Sequence, residues 1–144
     1  MDAGKNGLCH ILSSFARFYS NWDVSAGGFM IRYESIPSPC GAETHFTKSN
    51  DELSSLRHPF NFIGRPDCIY TISLNNGTYV KISIIDIQLN KTEQCSESFL
   101  EIRDGKDGYG TPLLGRLCGE LYDLPNTVLQ STGPDVWIRY CNEI

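Results

Sequence analysis

With 144 residues, a hydrophobic fraction of 40% and a net charge of −5, the chain suits one domain of ordinary size with a packed interior. Nothing in it approaches the ~18 consecutive apolar residues of a membrane span, and its Lys and Arg are scattered rather than gathered into the basic stripe that nucleic acid requires. Its six cysteines point to an oxidising compartment. Two sequons, Asn76-Gly77-Thr78 and Asn90-Lys91-Thr92, point the same way and mark Asn76 and Asn90 as glycan acceptors. Met1 to Gly7 lacks the apolar core of a signal peptide, so the chain reads as a slice of a longer secreted glycoprotein.

In chain order, Phe15 to Ser20 and Phe29 to Glu34 read as strands, separated by a turn-like stretch from Asn21 to Gly28. Ile36-Pro37-Ser38-Pro39 is a linker, because two prolines so close neither pair in a sheet nor enter a helix. Between Cys40 and Pro66 the pattern is irregular; Asp51 to Leu56 suits one helical turn, and Pro59 stops anything longer. Ile69 to Leu74 alternates as a strand with Tyr70, Ile72 and Leu74 on one face. Asn75-Asn76-Gly77 is a tight-turn signal that predicts a hairpin to the next strand. That strand is read as long, Tyr79 to Leu89, with Val80, Ile82 and Ile84 toward the core.

The stretch Cys95 to Cys118 is the framework. Leu100 and Ile102 alternate with Phe99, Glu101 and Arg103, as in a strand with one buried face. A loop rich in Gly and Asp follows from Asp104 to Pro112, and Leu113 to Leu117 returns. A bridge between Cys95 and Cys118 would staple this hairpin at its base and contribute roughly 3 kcal/mol. Thr127 to Thr132 and Val136 to Tyr140 are further strands around the turn Gly133-Pro134-Asp135. Short strands spaced by turns, without an amphipathic helix, indicate an all-β sandwich.

Taken together, Cys40, Pro59-x-x-Phe62, Cys68-Ile69-Tyr70-x-Ile72, Cys95, Leu100 to Gly105, Leu114-Gly115-x-x-Cys118-Gly119 and Val136 to Tyr140 resemble a CUB domain. The resemblance implies an antiparallel jelly-roll-like β-sandwich with Cys40 bonded to Cys68 and Cys95 to Cys118. It also divides the chain. Residues 1–35 resemble the terminal strands of a preceding CUB repeat, 36–39 the linker, and 40–144 a CUB domain lacking its last strand. The segment from Gly28 to Tyr33 is of the missing strand's type and suits an open sheet edge. Cys9 and Cys141 are surplus to the family's pairs: free, bonded to each other, or marking an imperfect end.

Many CUB domains hold Ca²⁺ through acidic rim residues; the corresponding positions here are Asn90, Ser98 and Glu143. Two are neutral, whereas a hard cation wants charged carboxylates among several oxygens. No calcium or other cofactor is therefore expected, although Asp86, Glu93 and Glu97 lie nearby. Catalysis is not expected either: Gly-x-Ser-x-Gly, His-Glu-x-x-His and a phosphate loop are absent, and His10, His45 and His58 stand in unlike contexts. Loops on a rigid sandwich commonly carry recognition, which singles out Lys106, Asp107 and Tyr109, with Trp22 and Asp23 in the amino-terminal piece. The resemblance implies a protein-binding module beside neighbouring CUB repeats, extracellular or peripheral at the cell surface through its parent. That parent is an endocytic receptor taking protein cargo such as carrier-bound vitamin B12 or albumin, or alternatively a secreted astacin/tolloid-type metalloprotease for which the domain recognises substrate.

Overall fold

The computed structural model describes residues 16–19, 26–35, 38–55, 58 and 66–142. Nine strands follow one another among them: β1 (His45–Phe46), β2 (Asp67–Ser73), β3 (Lys81–Ser83), β4 (Gln88–Leu89), β5 (Phe99–Asp104), β6 (Pro112–Leu117), β7 (Gly119–Glu120), β8 (Val128–Gln130) and β9 (Asp135–Cys141). Two short 3₁₀ turns, Glu93–Cys95 and Leu121–Asp123, are the only helical elements among the described residues. The chain is an all-β sandwich. One layer is a five-stranded sheet in the order β1-β2-β9-β5-β6, and the ladders β3–β8 and β4–β7 make up the rest.

β9 is the centre of that sheet. Its register sets Ile138 against Tyr70 on one side and Ile102 on the other, so one face gathers the apolar members of three strands in a row. These residues pack with Val80, Ile87, Leu117, Leu129 and Val136 in the main core. Tyr70 is anchored there by its hydroxyl, which donates to the Cys40 carbonyl at 3.1 Å. Burial and the neighbouring Tyr140 both raise its pKa above the usual phenol value.

The sheet's other face is also covered, a correction to the reading of 98–103 as half-buried. Phe99 is only 2% exposed and Glu101 is buried with it. The reason is a polar and cationic lid: the Arg116 guanidinium lies 3.9 Å from the Phe99 ring centroid, with Arg139 at 5.6 Å. Such guanidinium–ring stacking keeps the charge wet while shielding the ring. Arg139 in turn grips Asp67 with both donors, Nε at 2.9 Å and Nη2 at 2.8 Å.

Several local expectations fail for one reason: strand pairing is decided by burial over distance, not by the nearest turn. Asn75 to Thr78 does turn, with the Thr78 N–H donating to the Asn75 carbonyl and Gly77 at φ +85°. Yet the chain crosses to the other layer instead of forming a hairpin, and β3 pairs with β8. The long strand from Tyr79 to Leu89 is broken into β3 and β4, with Ile85 exposed at the break. Asp51 to Ser55 carries no helical turn, and strand β8 is shorter than Thr127 to Thr132. Residues 29–34 form no strand and are exposed; the same holds for 16–19, the described part of the other amino-terminal strand. There Phe18 and Phe29 meet ring to ring at 5.1 Å. Within the same chain Gly28 to Tyr33 therefore pairs with no sheet edge.

Candidate functional site

The loop from Asp104 to Gly110 is held at both ends and from beneath. At its start, the Asp104 carboxylate accepts from the Thr132 N–H at 3.0 Å and from the Thr132 hydroxyl at 2.6 Å. The Asp104 N–H donates to the Thr111 carbonyl and the Gly105 N–H to the Asp135 carbonyl, at 2.9 and 3.0 Å. Along its floor, Arg103 reaches the Gly110 carbonyl through Nη1 at 2.9 Å and the Glu101 carboxylate through Nε at 2.8 Å. The glycines are needed for closeness. A β-carbon at Gly110 would sit 1.6 Å from the Asp104 carbonyl oxygen, and one at Gly108 3.1 Å from the Trp137 ring.

At the tip, the Asp107 carboxylate accepts from the Tyr109 N–H at 2.9 Å, an Asx turn that orders the residue without using its side chain. The Tyr109 side chain is left 97% exposed. Lys106 and Asp107 are exposed beside it. An aromatic ring on an ordered stem is cheap to immobilise on contact, since it has few rotatable bonds. Lys106, Asp107 and Tyr109 are thus brought together as one tip. The sequence did not announce the stem: Arg103, Thr132 and Trp137 lie on three different strands or loops, and only the Gly-rich spacing hinted at a close approach. Trp22 and Asp23 lie outside the described residues.

At the opposite end, the rim positions are differently disposed. Asn90 is exposed, whereas Ser98 is fully buried and donates its hydroxyl to Asn142 Oδ1 at 2.9 Å. Glu143 lies outside the described residues. A neutral amide and a hydroxyl already committed to a neighbour do not fit a hard divalent cation. Among the described residues no group of three or more His, Cys, Asp or Glu is placed to hold a metal. His58 instead meets the Asp86 carboxylate at 2.9 Å, and His45 meets the Thr71 hydroxyl at 2.6 Å. Both sequon asparagines, Asn76 and Asn90, are exposed.

Two disulfides tie this end: Cys40–Cys68 with Cα atoms 5.4 Å apart and Cys95–Cys118 at 5.6 Å. Cys141 is disulfide-bonded as well, and so is not free; Cys9 lies outside the described residues. Beside Cys95–Cys118 is a cleft of about 220 Å³ lined by Lys91, Thr92, Arg116 and Asp123 among others. There the Lys91 ammonium pairs with Asp123, and its pKa is raised by that hydrogen bond and charge. Asp123 is lowered, first by the Glu120 N–H and then by Lys91.

Comparisons with known proteins agree on what this sandwich is. The CUB domain family profile matches residues 40–143. Among curated relatives, bone morphogenetic protein 1 of Xenopus laevis is 32% identical over 88% of the chain, and cubilin of Sus scrofa is 32% identical over 88%. The chain spans 16% and 3% of the lengths of those two relatives. In fold, it is similar to a part of the full extracellular region of zebrafish Gpr126/Adgrg6, with a TM-score of 0.60 at 20% identity, covering 74% of this chain and 13% of that one. CUB domains are non-catalytic modules that mediate protein–protein contacts in extracellular proteins such as these, and no helix among the described residues is long and apolar enough to cross a membrane. With a profile that runs from Cys40 to just past β9, this chain belongs to the CUB domain family.

Proposed function

We propose that this domain is a protein-binding module of a cubilin-like multi-CUB endocytic receptor, extracellular and peripheral at the cell surface, and that its contact point is the tip Lys106, Asp107 and Tyr109. The observation that carries the reading is Tyr109, an almost wholly exposed aromatic on a stem held by Arg103, Asp104 and Gly110. A large ring presented on rigid support is the usual anchor of a protein interface. Carrier-bound vitamin B12 and albumin-like proteins are the cargo to test. In this reading residues 1–35 belong to a preceding repeat, 36–39 join it to the domain at 40–144, and Asn76 and Asn90 carry glycans.

The test is surface plasmon resonance of the domain against albumin and against carrier-bound vitamin B12. Tyr109→Ala is expected to weaken binding about tenfold or more while leaving the melting temperature unchanged. Equal binding by the variant to both cargoes would refute the tip. A second reading is favoured by the 32% identity to bone morphogenetic protein 1: an accessory domain that recognises substrate for a secreted astacin/tolloid-type metalloprotease. A parent chain carrying an astacin catalytic domain decides for that reading, and further CUB repeats decide for the receptor.

A further inference from the structure

The two sequons end up in opposite surroundings. Asn76-Gly77-Thr78 is exposed along its whole length. There the Thr78 hydroxyl donates to the Asn75 carbonyl at 2.6 Å, an exposed bond that water or an enzyme can replace. In Asn90-Lys91-Thr92 only the first two residues are exposed. The Thr92 hydroxyl oxygen is buried and has no hydrogen-bond partner, the one such side-chain atom among the described residues.

The bridge between Cys95 and Cys118 lies against this threonine. Thr92 stands at the N-cap of the 3₁₀ turn Glu93–Cys95, where a threonine hydroxyl ordinarily accepts from the backbone, yet it makes no such bond. Its carbonyl accepts from the Cys95 N–H at 3.1 Å and lies 4.0 Å from the Cys118 sulfur. Gln94 and Cys95 both take left-handed φ, +56° and +49°, a bend that such residues keep only where their surroundings hold it. Lys91 is fastened too, by its ion pair with Asp123. A buried hydroxyl without a partner costs stability. The chemistry its position does offer is that of the sequon, because glycosyl transfer reads the hydroxyl two residues after the acceptor asparagine.

We infer that Asn90 accepts a glycan only before the Cys95–Cys118 bridge closes, whereas Asn76 remains an acceptor in the folded domain. In the transfer, the Asn90 amide nitrogen bonds to C1 of a lipid-pyrophosphate-linked oligosaccharide. The lipid pyrophosphate leaves, and the amide proton passes to a base of the transferase. That enzyme must grip Thr92 Oγ1 meanwhile, and in the finished sandwich the atom is out of reach. Once attached, the sugar is compatible with the fold, since Asn90 itself is exposed. Occupancy at Asn90 thus records a race between transfer and bridge formation. The inference rests on the reading that both asparagines carry glycans.

The test offers the unglycosylated full chain to microsomal oligosaccharyltransferase and its lipid-linked donor in two forms. One is folded and oxidised; the other is reduced and alkylated, so that no bridge can form. Asn76 and Asn90 fall in separate tryptic peptides, divided at Lys81, and mass spectrometry reads each. Asn90 should be modified about tenfold less in the oxidised chain, while Asn76 should differ by less than about threefold. Equal modification of Asn90 in both forms, or an equal loss at Asn76 on folding, overturns the inference and leaves the glycan reading standing. No modification of Asn90 in the alkylated chain overturns both. Thr92→Val, made without glycans, should melt roughly 2–5 °C higher than the wild type, because the same shape is buried without an orphan hydroxyl. A lower melting temperature would show that the fold uses the hydroxyl, and would overturn its assignment to transfer.

Discussion

The five-stranded sheet and the ladder that faces it are built to different standards. In the sheet, β9 lies between two long neighbours, and both of its faces are covered: Val136, Ile138 and Cys141 are all nearly inaccessible. In the facing layer, β3 has three residues and one partner, and Ile82 and Ile84 are half-buried. The difference teaches where the stability resides. Side chains in the sheet lose most of their water on folding; those along β3 lose only part.

The sharpest way to break that contrast is a matched pair of truncations. Ile138→Ala should cost about 3–4 kcal/mol, because the cavity it leaves is walled by Tyr70 and Ile102. Ile82→Ala should cost only about 1–2 kcal/mol, since its site already meets solvent. Urea denaturation of both variants measures this, and equal losses would erase the distinction. Removing Cys95–Cys118 by a double Ala substitution comes next, at roughly 3 kcal/mol for a loop of 23 residues by the chain-entropy relation. Thermal unfolding reports it, and an unchanged midpoint would mean that the ladder end does not depend on its staple. Smaller again is Gly110→Ala, at roughly 1–3 kcal/mol, because the added methyl meets a backbone carbonyl that must move. Here the amide of Gly105 is the probe, and it should exchange faster in the variant.

The smallest effect concerns pH. Asp123 is depressed below its usual 3.8, so what its contacts contribute is present above that value and is lost as pH falls through the lower folded pKa. Lys91 is raised above 10.5, so its share is present below that value and is lost as pH rises through the higher one. The melting-temperature difference between the wild type and Lys91→Met should therefore be flat from about pH 5 to about pH 9 and vanish in strong acid. A difference that persisted there would show that the lysine acts through packing of its stem.

The sheet was the more legible half of the molecule. Residues 67–73, 99–104 and 135–141 alternate cleanly, and each is a strand close to its expected bounds. The half-layer was not legible. Asn75-Asn76-Gly77 carries a hairpin's local chemistry, but Val80 and Leu129 are buried only if the chain crosses over, and that depends on a partner some fifty residues on. Phe29 to Glu34 shows the converse: alternation states what a segment can do, and a strand exists only where an edge receives it. At the tip, Tyr109 and its neighbours were visible as loop residues, whereas the hold of Thr132 on Asp104 and of Trp137 beneath Gly108 was not. Such contacts join positions far apart in sequence and leave no local trace.

The stem at Asp104 and Gly110 has one more implication. Because the hydrogen bonds that shape the bend come from the backbone and from the side chains of Arg103, Asp104, Asp107 and Thr132, those of Lys106 and Tyr109 are free of any duty to folding. Their identities can drift, or be randomised in the laboratory, at nearly constant thermal stability. A scaffold of this kind separates the grammar of recognition from the survival of the fold, and new partners can be tried one side chain at a time.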